Sequence, residues 1–99
     1  MFEVLQHPEF VEWLHRLRDI QAKARILRRL NRLERGLVGD AKFIEAGVRE
    51  LRIDYGPGYR LYFIQRGGQL IVMLCGGDKA SQRADIAQAL RIAREVEHG

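Results

Sequence analysis

Residues 50–63 read ELRIDYGPGYRLYF, and both halves of the stretch alternate. Over residues 48–54, Leu51 and Ile53 share one side, while Glu50, Arg52 and Asp54 share the other. Over residues 59–65, Leu61 and Phe63 stand opposite Arg60, Tyr62 and Ile64. A period of two marks a β-strand, and the Gly-Pro-Gly between the halves marks a turn. The reading is an antiparallel hairpin with Leu51, Ile53, Leu61 and Phe63 on its core and Arg52, Arg60 and Tyr62 on the opposite face. Arg52 and Arg60 flank one turn, so they should be neighbours. Two adjacent guanidinium groups repel unless an anion lies close. Either Glu50 and Asp54 neutralise them, or the face is a phosphate site.

Working outward, the segment LIVMLC (residues 70–75) is apolar on both faces and reads as a central strand. Residues 81–96 are helical, with Ile86, Leu90 and Ala93 as the stripe and Asp78 or Ser81 as the cap. Upstream, residues 2–6 suit a short strand, and Pro8 suits the first turn of a helix carrying Phe10, Leu14 and Leu17 on one face. A second helix is expected over residues 20–36, with Ile20, Ala24, Leu27, Leu30, Leu33 and Leu37 as its apolar stripe and Gly36 and Gly39 as stop signals. The expected fold is α+β: an N-terminal helical hairpin packed on one face of an antiparallel sheet, with a C-terminal helix. With 99 residues, the chain is expected to be a single domain over residues 1–99.

Composition narrows the function. There are 17 Lys and Arg against 13 Asp and Glu, a net charge of +4, and only Lys23, Lys42 and Lys79 are lysines. An arginine-rich surplus points to a polyanionic partner, usually nucleic acid. Eight of the 17 bases lie between Arg16 and Arg35, and Arg25, Arg28, Arg29 and Arg32 line one face of the second helix. That stripe is a solvated face or a docking surface for phosphate or acidic protein. In GGDK (residues 76–79), the glycine pair leaves room for a ligand beside Lys79. The coming helix start adds N–H groups and positive dipole there.

Other chemistries lack their signatures. His7, His15 and His98 are scattered, with no metal-ligand spacing, so no cofactor is expected. No Gly-rich nucleotide loop and no serine elbow occurs. Cys75 lies in an apolar strand and reads as packing, and Trp13 as an edge-of-core or partner-contact residue. The opening residues carry no leader pattern, and no run reaches the roughly 18 to 20 apolar residues of a membrane span. A cytoplasmic protein is the expectation.

The segments ELRIDYGPGYRLYF and LCGGDKASQRADIAQA resemble the addiction-module killer proteins, the HigB-type toxins of the RelE/ParE superfamily of type II toxin–antitoxin systems. The resemblance spans residues 5 to 95 approximately. It implies a metal-independent endoribonuclease that cleaves messenger RNA, commonly on the ribosome, by attack of the 2′-hydroxyl on the adjacent phosphate. On this resemblance Arg60 matches the superfamily's phosphate-binding arginine, and Arg52 a second phosphate contact. Lys79 matches a basic position after the last strand, suited to stabilising charge or protonating the leaving oxygen. Tyr55 and Tyr62 are candidates to stack on bases, and Arg25, Arg28, Arg29 and Arg32 to bind RNA. The implied partner is a helix-turn-helix, HigA-like antitoxin.

The chain also departs from the superfamily. Some members carry two lysines where this chain has Glu50 and Arg52, and some use a tyrosine or histidine in the C-terminal helix. Neither residue occurs between Lys79 and Glu97, and the nearest position is around Asp85. Glu50 is then the candidate general base. The competing readings are a ParE-like gyrase poison that cuts nothing, and an inactive homologue that acts with its antitoxin in operon repression.

Overall fold

The computed structural model describes residues 1–98. The chain runs β1 (Glu3–Gln6), α1 (Pro8–Arg16), α2 (Ile20–Glu34), β2 (Ala41–Glu45), β3 (Val48–Ile53), β4 (Tyr59–Arg66) and β5 (Leu70–Gly77). A 3-10 turn (Lys79–Ser81) then leads into α3 (Gln82–His98).

Local chemistry sets these boundaries. The His7 ring accepts the Glu9 N–H and Pro8 occupies the first turn, which starts α1. Asp19 accepts the N–H groups of Gln21 and Ala22 and starts α2. Gly36, at φ +84°, ends α2. Its N–H donates to the Leu33 carbonyl and that of Leu37 to the Arg32 carbonyl, the paired bonds of a Schellman cap. Asp78 accepts the Ser81 N–H, as expected for a cap ahead of α3.

The five strands form one mixed sheet in the order β1-β5-β4-β3-β2. β1 runs parallel to β5, and every other pair is antiparallel. The expected antiparallel sheet is therefore corrected to a mixed one. A helical crossover between β1 and β5 lets the two strands run the same way. β2 is an additional strand, paired antiparallel with β3.

Both faces of the sheet are covered, which corrects the expectation that helices pack on one face. On the first face Leu51, Ile53, Leu61 and Phe63 pack with Phe10, Ala22, Ile26, Leu30 and Leu33 of the α1–α2 hairpin. On the second, Tyr62, Ile64, Val72 and Leu74 pack with Ala89, Ile92 and Ala93 of α3. A bulge in β5 opposite Tyr62 and Phe63 turns Leu74 and Cys75 to the same side. The stripe of α2 is also corrected. Ala22, Ile26, Leu30 and Leu33 are buried, whereas Ile20, Leu27 and Leu37 are at least half exposed.

Candidate functional site

The turn between β3 and β4 builds the site. Gly58 closes it with its N–H on the Tyr55 carbonyl, and its own φ of +80° favours glycine. The register places Arg52 opposite Arg60 and Glu50 opposite Tyr62. The expected proximity of the two arginines is therefore present.

Glu50 is wholly buried beneath them. Its Oε2 accepts the Tyr62 hydroxyl at 3.1 Å and Gln82 Nε2 at 2.9 Å. Arg60 Nε stands 3.8 Å from that oxygen, and Arg52 Nε 3.6 Å from Oε1. Arg60 also donates from its terminal nitrogen to the Gly58 carbonyl at 3.1 Å. Its side chain is only 10% exposed, and its Nε has no hydrogen-bond partner.

Above this network opens a cleft of about 490 Å³. Arg29, Arg52, Arg60 and Lys79 line it, together with Asp40 and Asp54. Arg29 comes from α2 and donates to the Arg52 carbonyl at 3.0 Å. Burial pulls the Arg29 pKa down, neighbouring Arg32 adds to the effect, and Asp40 opposes it. Four cations around one cleft with two carboxylates leave a positive excess suited to an anion.

The other sequence candidates lie elsewhere. Tyr62 is wholly buried under α3 and offers no ring face to a base, which corrects its outward assignment. Burial, then the Glu50 charge, push its hydroxyl pKa far above the ordinary value. Tyr55 is partly buried, with the Arg25 guanidinium 4.4 Å from its ring centre. Arg28 and Arg32 line a separate groove on the outer side of α2. The Gly76–Gly77 pair leaves no room for a ligand. A Cβ on Gly76 would run into the Trp13 ring and one on Gly77 into the Asp85 carboxylate. The glycines admit protein side chains instead.

Gln82 and Asp40 belong to the site and were not singled out from sequence. Gln82 had a readable signal: it extends the inward stripe of partly buried Ile86 and buried Ala89 and Ala93 by one turn, and a polar residue on an apolar stripe implies a buried partner. Asp40 follows Gly39 in a loop and carries no periodic signal. Among the described residues no group of three His, Cys, Asp or Glu is gathered to hold a metal ion. Nor is any helix there long and apolar enough to cross a membrane.

Comparison with known proteins adds two findings. Residues 12–97 match the family model described as "Phage derived protein Gp49-like (DUF891)". An uncharacterised protein of Haemophilus influenzae is 47% identical over 87 residues, covering 88% of this chain and 88% of its own length. No solved structure matches the chain.

Proposed function

This chain belongs to the phage-derived Gp49-like family, a toxin–antitoxin-related family, and we propose that it is the toxin of such a module and cleaves messenger RNA as an endoribonuclease. The supporting observation is Arg60, a nine-tenths buried guanidinium with an unpartnered Nε, lining a cleft shared with Arg29, Arg52 and Lys79. A cation held so rigidly is already oriented for a phosphate.

In this reading the scissile phosphate sits against Arg60 and Arg52. The 2′-hydroxyl oxygen attacks the adjacent phosphorus, forming a 2′,3′-cyclic phosphate and breaking the bond to the 5′-oxygen. The guanidinium groups stabilise the charge that grows on the phosphorane oxygens. Exposed Lys79 gives its proton to the departing 5′-oxygen. Glu50, buried and engaged by Tyr62 and Gln82, anchors the arginines. Asp54, exposed on the cleft beside Arg52, takes the 2′-hydroxyl proton. The toxin's partner is an antitoxin, and its substrate is message on the ribosome.

Controlled expression followed by mapping of RNA 5′ ends tests the reading. New ends should appear with the natural chain and fall by about a hundredfold or more in Lys79→Ala and Arg60→Ala. Circular dichroism of both variants separates lost chemistry from lost fold. Intact RNA beside arrested supercoiling would overturn the reading in favour of a gyrase poison. Cleavage that a chelator stops would overturn charge stabilisation by arginine and lysine alone.

A further inference from the structure

The outer side of α2 carries a second groove, of about 590 Å³, away from the cleft. Leu27 and Leu37 line it at 53% and 50% exposure. The Schellman cap at Gly36 turns the chain so that Leu37 follows the helix end. Arg28, Arg32 and Arg35 line the same groove, and no carboxylate does. These arginines are separate from the anion cleft, to which α2 contributes only Arg29.

We propose that this groove docks an acidic amphipathic helix of a protein partner, with apolar side chains on Leu27 and Leu37 and flanking carboxylates on the three arginines. The chemistry favours protein over nucleic acid. A phosphate backbone would satisfy the arginines but leave two half-exposed leucines in water, at a cost that grows with their apolar area. A helix with leucines along one stripe and Asp or Glu beside them covers both. Ala24 to Arg35 spans about 16 Å of helix axis, matching about three turns of a bound helix. This deepens the toxin reading and rests on it only for the partner's identity: in that reading the helix is the antitoxin's.

The test uses the full chain and two probes. One is a synthetic helical peptide of about 16 residues with a leucine stripe flanked by glutamates, with its scrambled sequence as control. The other is a short oligouridylate. Amide chemical-shift titration should show the peptide moving residues 24–37, with affinity at least about tenfold weaker for Leu27→Gln and for Arg32→Gln. The oligouridylate should move residues 52–60 and be indifferent to Leu27→Gln. The proposal is overturned if the oligouridylate, and not the peptide, moves residues 24–37. It is equally overturned if Leu27→Gln leaves peptide affinity unchanged. Growth arrest by the natural chain in cells is read separately. Arrest without peptide docking sinks this proposal alone, and peptide docking by a chain that arrests nothing sinks the toxin reading alone.

Discussion

The Glu50 carboxylate lies 3.8 Å from Arg60 Nε, with no exposure to solvent of its own. Because Arg60 is the register partner of Arg52, one buried anion balances two cations. Removing the partner of a buried charge is far costlier than the pair is worth. Glu50→Ala should therefore lower stability by about 3 kcal/mol, nearly all of it through Arg60, since Arg52 is half exposed and screened. Urea unfolding measures the loss, and added sulfate should restore part of it by replacing the carboxylate. A loss near zero would mean that the arginines need no anchor.

Tyr62 separates structure from recognition. Its hydroxyl donates to the buried Glu50 oxygen, and α3 covers its ring. Tyr62→Phe keeps the packing and removes the donor, a loss of about 2 kcal/mol for a hydrogen bond to a charged group. RNA affinity of the folded fraction should not change. An affinity loss at unchanged stability would mean that the ring stacks on a base.

These two residues also explain which parts of the molecule were legible in its sequence. The order of strand, helix, helix, hairpin, strand and helix followed from periodicity and turn residues, because the helices and the hairpin show apolar rows and β5 is apolar on both faces. The second face of the sheet did not. Glu50, Arg60 and Tyr62 are polar residues at alternate positions, and alternation assigns such residues to solvent. Only the hydrogen bonds of Tyr62 and Gln82 to Glu50, the ion pair of Glu50 with Arg60, and the bond from Arg60 to the Gly58 carbonyl make burial tolerable. α2 misled for another reason. Leu27, Leu30 and Leu33 recur at steps of three and read as one stripe, whereas Leu27 is exposed and the buried row is Ala22, Ile26, Leu30 and Leu33. β2 was hidden because Phe43 and Ile44 are adjacent, and because its turn uses Ala46 at φ 50° where asparagine or glycine would signal a hairpin.

The glycine pair at the end of β5 makes a steric prediction. A methyl on Gly77 would meet the Asp85 carboxylate in the first turn of α3 and Ser81 Oγ in the 3-10 turn before it. On Gly76 it would meet the Trp13 ring, which also packs edge-on against Tyr59 with ring centres 6.2 Å apart. Overpacking costs about 1–3 kcal/mol when neighbours can give. Gly77→Ala and Gly76→Ala should each destabilise by about that much in thermal unfolding. Trp13→Leu should rescue part of the Gly76→Ala loss and none of the Gly77→Ala loss. Equal rescue of both would contradict the opposite-sided packing of the two glycines.

Asp85 makes stability depend on pH in a defined direction. Burial raises its carboxyl pKa above 3.8, the Ser81 hydroxyl opposes that rise, and Asp78 adds to it. A raised acid binds its proton more tightly in the folded chain than in the unfolded one. Above the unfolded value the folded state therefore retains the proton longer, and stability from this group falls as pH rises until the folded carboxyl has also ionised. Asp85→Asn abolishes that fall, because the amide cannot ionise and its oxygen can still accept from Ser81. The variant's stability relative to the natural chain should therefore grow as pH climbs from about 3.8 and level off once Asp85 is ionised in the folded state. Urea unfolding of both chains between pH 3 and 7, taken roughly half a unit apart, reads this difference directly. A difference that is flat with pH would show that Asp85 titrates as it does in the unfolded chain. One that shrinks with rising pH would show that Ser81 outweighs burial.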